Sequence, residues 1–250
     1  MTSTYPTQAV VLAAGLGSRL APITNHTPKP LIPFFTVAML ELAVAKLSAA
    51  GVTRIAVNAK HLASKVSDFV DVRLRPSFPG VTFHVSVEDE VLGTGGALRN
   101  LRGWLGNGSF WVVNSDAVFA QSLSEVADQH VQTGNDVTLM VTRANEHRDL
   151  RFLRAGKDVL LLERMPEAAE HGFAFCGVHL NESGLFDYLP DSGECCVLRA
   201  GHLPWAHSGG RVGLYETHRF WADAGTPDRY LEAHRRALPT LESWFPVSTY

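Results

Sequence analysis

The sequence predicts an α/β fold in which a doubly wound, mostly parallel sheet carries a β-rich lobe that shares its core. Two observations support this prediction. Short apolar runs alternate with segments of helical period as far as Thr142, and each apolar run ends in glycine or in polar residues. That alternation is typical of a Rossmann-like sheet with helices on both faces and ligands at the carboxyl ends of its strands. After Arg143 short strands follow without the regular alternation, which indicates the added lobe.

The first βαβ unit is the clearest part of the pattern. Residues Gln8 to Ala14 are almost continuously apolar, as expected for a parallel strand that is buried on both faces. A helix is predicted from Val37 to Ala50, because apolar residues recur at helical spacing and Gly51 follows where helix ends favour glycine. The run from Thr53 to Asn58 is predicted as the second strand.

The same alternation continues to Thr142 and then changes. The next predicted elements are a helix from about His61 to Val70, a strand near Val81 to Val87, a helix opened by Gly93, a strand Phe110 to Asn114, a helix from about Leu123 to Gln132 and a strand Asp136 to Thr142. In the lobe the predicted elements are a hairpin of 151–153 with 159–162, and strands Phe173 to Leu180 and Arg211 to Thr217. The last helix follows a Thr226 N-cap and runs to about Leu238.

Length and composition limit the class of protein. A chain of 250 residues with a net charge of −3 suits a single domain, which divides at about residue 143 into two halves. No run of basic residues indicates a nucleic-acid partner, and no apolar run is long enough for a membrane span or a signal sequence. The cysteines at 176, 195 and 196 have no CxxC spacing, so we expect reduced thiols in a cytoplasmic protein.

A glycine-rich turn follows the first strand and leads to a lysine between two prolines. In Gly15-Leu16-Gly17-Ser18 the glycines leave backbone N–H groups bare, and these can surround phosphate oxygens. Arg19 and Lys29 add positive charge, and the flanking prolines restrict the backbone around Lys29. The spacing fits neither a dinucleotide fingerprint nor a P-loop, and a glycine turn alone can be purely structural. Together these residues predict a site for a nucleoside triphosphate.

Two aspartates are candidates for binding a metal ion. Asp116 follows the predicted strand that ends at Asn114, and Asp223 follows the aromatic pair Phe220-Trp221. A carboxylate at the end of a buried strand is costly unless a cation or hydrogen bonds offset it, although Asp also commonly caps a turn at such a position. Mg²⁺ takes one or two protein carboxylates together with phosphate oxygens and water. If both aspartates line one pocket, they form a site of this kind.

Five sequence strings occur in the order found in one enzyme family and span nearly the whole chain. They are Leu12 to Leu20, Pro28 to Leu31, Gly93 to Leu98, Asn114 to Asp116 and Trp221 to Pro227. On these strings the chain resembles the sugar-1-phosphate nucleotidyltransferases, in particular the short members similar to N-acetylmuramate-1-phosphate uridylyltransferase. The first string is highly specific, and the later ones gain weight from their order.

The resemblance implies a role for each matching residue. The residues that would bind the base, the ribose and the triphosphate are Leu12, Ala13, Ala14, Gly15, Gly17, Ser18, Glu88 and Gly93. Those that would stabilise the phosphates or hold Mg²⁺ are Arg19 and Lys29 for the first task, and Asp116 and Asp223 for the second. Gly177, Glu163 and Arg164 would lie on the sugar side. Arg164 stands near the position where many relatives carry a lysine, and the two cations are not equivalent.

The activity that the resemblance implies is nucleotidyl transfer. A sugar 1-phosphate would attack the α-phosphorus of a nucleoside triphosphate in line, with Mg²⁺ as cofactor, to give a nucleotide sugar and pyrophosphate. No general base is needed, because a sugar phosphate with a second pKa of about 6 is mostly ionised at neutral pH. The resemblance favours UTP, and we expect a monomer or simple dimer. The alternatives are a catalytically silent nucleotide-sugar-binding regulatory protein and a phosphocholine cytidylyltransferase-like enzyme.

Overall fold

A nine-stranded mixed sheet forms the centre of the computed structural model, which describes residues 5–143, 152–154, 160–162 and 172–240. The strands, in chain order, are β1 Gln8–Leu12, β2 Pro33–Phe34, β3 Val37–Ala38, β4 Arg54–Ala59, β5 Thr82–Val87, β6 Phe110–Asn114, β7 Ala117–Phe119, β8 Val137–Arg143, β9 Phe152–Arg154, β10 Leu160–Leu162, β11 Phe173–Asn181, β12 Val212–Glu216 and β13 Trp221–Asp223. Two small sheets, β2 with β3 and β7 with β13, lie outside the central one.

The central sheet runs through both halves of the chain. Strands β5, β4, β1 and β6 are parallel neighbours in that order. Strand β11 then pairs antiparallel with β6 and with β8, and β12 pairs parallel with β8. The first residues of β11 also pair with β9, which pairs antiparallel with β10. The predicted fold class, a mostly parallel sheet with a β-rich part that shares its core, is therefore confirmed.

Helices cover both faces of this sheet. They are α1 Met39–Ala49, α2 Ala63–Phe69, α3 Arg75–Ser77, α4 Gly93–Leu105, α5 Leu123–Thr133, α6 Leu203–His207 and α7 Pro227–Ala237. Two π-helical turns, Val70–Leu74 and Leu198–His202, lead into α3 and α6.

Successive residues of β1 face opposite hydrophobic cores. Val11 packs in a core that contains Leu47 of α1 and Val126 of α5. Val10 points the other way and packs in a core that contains Leu98 of α4. Because β1 is apolar on both faces, it lies inside the sheet, and its carboxyl end at the half-buried Leu12 becomes the accessible part.

Most predicted elements are confirmed, with boundaries that differ by a few residues. The first strand ends at Leu12 because the Ala13 N–H bonds to a side chain and not to a neighbouring strand. The helix predicted from Val37 begins at Met39, since β3 pairs with β2 first. The helix predicted from His61 begins at Ala63, because Leu62 has a φ of 52° and lies outside the helical region. The turn of the predicted lobe hairpin lies outside the described residues.

Besides the pair of β2 with β3, two larger parts of the fold were not predicted. Strands β7 and β13 have three residues each, which is too short for a periodic pattern, and they pair with each other across the chain. The region between β11 and β12 contains a 3₁₀ turn, Ser183–Asp187, and the helical segment 198–207. Its apolar residues pack on the α4 side of the sheet.

Two further features concern the cysteines and the length of the helices. Cys176, Cys195 and Cys196 form no disulfide. In the part of the chain that the structure describes, none of the helices has the length and apolar character that crossing a membrane requires.

Candidate active site

Two cavities open side by side at the carboxyl ends of β1 and β6. Their volumes are about 220 Å³ and about 430 Å³, and we name them the small cavity and the large cavity. Both are lined by Leu12, Thr94, Asn114 and Asp116. Since Leu12 and Asn114 are partners in the parallel pairing of β1 with β6, the cavities meet at the sheet edge where this fold class binds ligands.

The small cavity is formed by the residues that follow β1. Six of the eight residues predicted to bind the nucleotide line it, namely Leu12, Ala13, Ala14, Gly15, Glu88 and Gly93. Gly17 and Ser18 are not part of this lining. Gly17 has a φ of 65°, and a Cβ there would lie 2.8 Å from Thr24 Cγ2 and 3.1 Å from Lys29 Cβ. Gly17 therefore allows the turn to close on the stem of Lys29.

A buried hydrogen-bond relay supports the wall of the small cavity. The Ala13 N–H donates to Asn58 Oδ1 at 2.7 Å, and Asn58 Nδ2 donates to Glu88 Oε1 at 2.7 Å. Asn58 and Glu88 are only 4% and 6% exposed. Burial raises the pKa of the Glu88 carboxyl, although the hydrogen bonds from Asn58 and from the Leu92 backbone oppose that shift. Asn58 was not predicted as a site residue, and an asparagine that ends a buried strand was the available signal.

Four residues predicted to act on phosphates and metal come together at the junction of the cavities. A Cβ on Gly225 would lie 2.6 Å from Asp223 Oδ1, 3.1 Å from Arg19 Nη2 and 3.3 Å from Lys29 Nζ. Lys29 forms an ion pair with Asp116, and both side chains are largely buried. The junction therefore concentrates charge of both signs within a few ångströms.

The small sheet of β7 and β13 brings the two aspartates together. Asp223 is the partner of Ala117, and the Ala224 N–H donates to the Asp116 carbonyl at 3.1 Å. Burial raises the pKa of the Asp223 carboxyl, and the nearby negative charge of Asp116 raises it further. This repulsion between two carboxylates is what a bound cation would relieve. The convergence depends on a strand pair that sequence patterns did not show.

Arg229 is a site residue that sequence reasoning missed. It lies in the first turn of α7, lines the large cavity, and places Nη1 3.1 Å from Asp223 Oδ2. The Asp223 carboxylate also accepts the Gly225 N–H at 2.7 Å. The predicted N-cap is confirmed, because Thr226 Oγ1 accepts the Arg229 N–H at 3.3 Å. A single arginine in an amphipathic helix carries no motif, so no sequence signal marked it.

Strand β11 forms one wall of the large cavity. Gly177 has a φ of 74° and lies at a register shift between Phe175 and His179, where the strand bulges. A Cβ at this position would lie 2.8 Å from Asn114 Nδ2. Gly177 thus lines the cavity, where the resemblance placed a sugar-side residue, and the close approach of Asn114 requires glycine there.

A second wall of the large cavity comes from the segment after Gly193. Cys196, Val197 and Leu198 line it, and the Val197 N–H donates to Thr94 Oγ1 at 2.9 Å. The Gly95 N–H donates to the Cys195 carbonyl at 2.8 Å, which fixes this segment on the start of α4. Glu163 and Arg164, the other residues predicted on the sugar side, lie outside the described residues.

The junction suits a cation that prefers oxygen ligands. In residues 5–143, 152–154, 160–162 and 172–240, no cluster of three or more His, Cys, Asp and Glu side chains could hold a metal ion. Asp116 and Asp223 together offer carboxylate oxygens alone, and the neighbouring cavities leave room for phosphate and water. This donor set fits Mg²⁺, which keeps several non-protein ligands, and does not fit a structural zinc site.

A family model and two curated relatives match most of this chain. The model of the nucleotidyl transferase family matches residues 8–239. A mannose-1-phosphate guanylyltransferase of Mycobacterium tuberculosis is 26% identical over 234 residues, which cover 92% of this chain and 64% of that protein. A mannose-1-phosphate guanyltransferase of Aspergillus oryzae is 29% identical over 245 residues, which cover 94% of this chain and 65% of that protein. The chain thus spans less than two thirds of the length of these relatives.

Solved structures share the fold at low sequence identity. A putative glucose-1-phosphate thymidylyltransferase of Bacillus anthracis has a TM-score of 0.77 at 24% identity, covering 92% of this chain and 94% of that one. A UTP-bound UGPase of Acinetobacter baumannii has a TM-score of 0.81 at 17% identity, covering 92% of this chain and 93% of that one. At these identities the likeness shows the fold alone.

Proposed function

This chain belongs to the nucleotidyl transferase family of sugar-1-phosphate enzymes, and on that premise we propose that it transfers a nucleotidyl group from a nucleoside triphosphate to a sugar 1-phosphate. The products are a nucleotide sugar and pyrophosphate. One observation carries the proposal. Lys29, Arg19, Asp116 and Asp223 meet where a small and a large cavity join, which is where two phosphate-bearing substrates have to react.

Each cavity is assigned to one substrate. The nucleotide occupies the small cavity, against the backbone of Ala13 to Gly15, and its phosphates extend toward Lys29. The sugar 1-phosphate occupies the large cavity, whose cations are Arg19 and Arg229. The chain acts as one domain, with the nucleotide held by about residues 1–143 and the sugar by about 144–250. Glu163 and Arg164 belong to the sugar side of this scheme.

Asp116 and Asp223 are the residues that would hold Mg²⁺. When bound there, the ion would neutralise charge on phosphate oxygens during the transfer. Lys29 pairs with Asp116 and Arg229 pairs with Asp223. These cations thus compensate two close carboxylates that would otherwise repel each other.

The side chains of the junction act by positioning and charge. The sugar phosphate is already an anion at neutral pH, so no residue has to remove a proton from it. Arg19 and Lys29 stabilise the negative charge that builds up as pyrophosphate leaves. The wall shared by the cavities holds the attacking oxygen and the α-phosphorus close together and in line.

A substrate panel tests the proposal. The protein is mixed with Mg²⁺, each of four nucleoside triphosphates and a set of sugar 1-phosphates, and pyrophosphate release is measured. We expect release with one or a few pairs. Phosphocholine belongs in the panel, because release with that acceptor alone would favour the phosphocholine enzyme. If no pair gives pyrophosphate although nucleotide binds, the protein is a silent binding module and the proposal is wrong.

For the base we propose guanine, on the chemistry of Glu88. When it is ionised, the Glu88 carboxylate only accepts hydrogen bonds, and the bonds from Asn58 and Leu92 leave some of its lone-pair positions available. Guanine offers adjacent N–H donors at N1 and N2, whereas uracil places a carbonyl oxygen on each side of its one N–H group. The two mannose-1-phosphate relatives are also guanylyl enzymes by name. UTP, which the family resemblance favoured, is the competing substrate in the panel.

Glu88→Gln tests this choice of base. A glutamine keeps an oxygen for Asn58 and presents an amide group where the carboxylate was. We expect kcat/KM for GTP to fall about tenfold to a hundredfold, as the loss of a charged hydrogen bond implies. UTP should lose much less. Asp89→Asn, an exposed acid one residue away, is the control and should leave the preference unchanged. An unchanged preference in Glu88→Gln would refute the role of Glu88.

A further inference from the structure

A buried polar cluster of His179, Asn181 and His202 lies against the large cavity. His179 lines the cavity and is 1% exposed. Its Nδ1 lies 3.0 Å from Asn181 Oδ1, and His202 Nε2 lies 2.8 Å from the same oxygen. The two imidazole rings meet edge to face at 4.9 Å. One amide oxygen therefore accepts a hydrogen bond from each histidine.

This cluster has an unusual energetic cost. Among the residues that the structure describes, the buried side-chain polar atoms without a hydrogen-bond partner are Asn181 Nδ2 and His202 Nδ1. Both belong to the cluster. An unsatisfied buried polar group is destabilising, so an apolar cluster of the same shape would be more stable. Such a cost is typical of groups that serve a purpose other than stability.

The hydrogen bonds select one form of His179. Because Asn181 Oδ1 can only accept, His179 carries its proton on Nδ1, and Nε2 is left with a lone pair. Burial lowers the pKa of His179 to about 4, so the ring is neutral at pH 7. Nε2 is not one of the buried atoms that lack a partner, and His179 lines the large cavity. Nε2 is thus the acceptor that the ring presents to a ligand there.

The residues around His179 indicate which kind of ligand group it contacts. The apolar side chains of Phe175, Val197 and Leu198 line the same cavity and cannot accept a hydrogen bond. The charged residues Arg19, Arg229, Asp116 and Asp223 line the part that we assign to the phosphates. A neutral acceptor beside these apolar side chains suits a hydroxyl group of an uncharged ring.

We propose that His179 is a specificity-determining residue, whose Nε2 accepts a hydrogen bond from one hydroxyl group of the sugar 1-phosphate. Asn181 is a positioning residue, which fixes the tautomer and orientation of His179. The inference rests on the proposed function, since it assigns a contact to its second substrate. It also implies that an acceptor without hydroxyl groups, such as phosphocholine, leaves Nε2 unpaired and binds poorly. Sites that hydrogen-bond a substrate hydroxyl discriminate strongly against analogues that lack it.

A cycle of enzyme and substrate changes tests the contact. Wild type and His179→Phe, which keeps an aromatic ring, are assayed with the best sugar 1-phosphate of the panel and with its monodeoxy analogues. In wild type, loss of one particular hydroxyl group should lower kcat/KM about tenfold to a hundredfold more than in His179→Phe. The other deoxy analogues should lose the same factor in both proteins. His207→Ala, an exposed histidine on α6, should behave as wild type.

The outcomes separate this inference from the proposed function. If every deoxy analogue loses the same factor in wild type and in His179→Phe, His179 contacts no hydroxyl group and the inference is wrong while the activity stands. If wild type turns over no sugar 1-phosphate, both are wrong. Should His179→Phe fail to fold, as judged by circular dichroism, His179→Leu, which also lacks an acceptor, replaces it in the cycle.

Asn181→Leu tests the positioning role with a side chain of similar size. We expect it to raise KM for the sugar 1-phosphate about tenfold and to leave KM for the nucleotide unchanged. A purely structural role would lower the melting temperature without separating the two KM values, and that result would overturn the role of Asn181.

Discussion

Each aspartate at the junction of the cavities is compensated by a cation, and this pairing decides what a substitution does. Lys29 pairs with Asp116, and Arg229 pairs with Asp223. Removing one carboxylate reduces the repulsion between the two acids, so the fold should not suffer. What is lost is one of the two carboxylates that we propose as ligands of Mg²⁺.

Asp116→Asn is therefore expected to abolish turnover and leave the fold intact. We expect pyrophosphate release to fall by about a hundredfold or more, because the metal loses a charged ligand at the reacting phosphates. Thermal unfolding should change little. The assay is pyrophosphate release across a range of Mg²⁺ concentrations, with Asp89→Asn as the control for loss of an acidic charge. Near-normal turnover in Asp116→Asn would exclude Asp116 from the metal site.

The buried histidines predict how stability depends on pH. Burial lowers the pKa of His179 from 6.5 to about 4 and lowers that of His202 well below 6.5. Below pH 6.5 the unfolded chain therefore binds protons that the folded chain does not, and the free energy of unfolding falls as the pH falls toward about 4. Each group contributes a slope of up to about 1.4 kcal/mol per pH unit in this window.

Urea unfolding at about pH 7 and at about pH 5 measures this dependence. Wild type should lose stability on acidification, and His179→Phe should lose less, because one proton-binding group is gone from the unfolded chain. The difference in slope between the two proteins isolates His179 from the other titrating groups. Equal slopes would show that His179 titrates in the folded protein as it does in the unfolded one.

At the residue scale, sequence reasoning found the residues that lie in motifs. Lys29 between prolines and Asp116 after a buried strand were visible because their neighbours in sequence constrain them. Asn58, Arg229 and His179 were not, because each is a single polar residue in a regular element. Asn58 reaches the site through Glu88, 30 residues away in sequence, and the large cavity that Arg229 and His179 line also includes distant residues such as Leu12.

At the scale of elements, the bulge in β11 shapes the large cavity. Gly177 combines a φ of 74° with the close approach of Asn114, which lines both cavities. The Gly177→Ala substitution would strain the backbone at this φ and would also place a Cβ too close to the Asn114 amide. The strand and the cavity wall should therefore be affected together.

We expect Gly177→Ala to lower the free energy of unfolding by about 1–3 kcal/mol and to raise KM for the sugar 1-phosphate. Gly209→Ala is the matched control, because Gly209 has a φ of 96° with open space around its Cα. That variant should show the backbone cost alone, without a change in KM. The measurements are urea unfolding and steady-state kinetics. If both variants alter KM equally, Asn114 is not the link between Gly177 and the cavity.

Elements differed in how well their sequences predicted them. The predicted bounds of strand β6 and helix α5 lie within one residue of the observed ones. Each of these elements has an apolar pattern that extends over several residues. Strands β7 and β13 were missed, since three residues carry no period and their pairing joins distant parts of the chain. The approach of Asp223 to Asp116 depends on that pairing, so sequence indicated both carboxylates without showing how they meet.

At the scale of the whole molecule, the two halves of the chain share one sheet. Strand β11 lies between β6 of the first half and β8, and residues from both halves fill the cores on both faces. Val178 of β11 is the partner of Val113 of β6, and both are fully buried. The order of the strands in the sheet depends on pairing between distant parts of the chain. The sequence therefore predicted a shared core but did not predict that β11 lies between β6 and β8.

This shared sheet predicts that the two halves unfold together. Hydrogen exchange measured at increasing urea should give the same opening free energy for the most protected amides of β4, in the first half, and of β11, in the second. Val178→Ala removes buried methyl groups at the seam and should lower both values equally, by about 1–2 kcal/mol. The reason is that β11 cannot separate from β6 without exposing the valines on both strands. If β11 and β12 exchange at lower urea than β1 and β4, the second half of the chain opens on its own and the chain is not one cooperative domain.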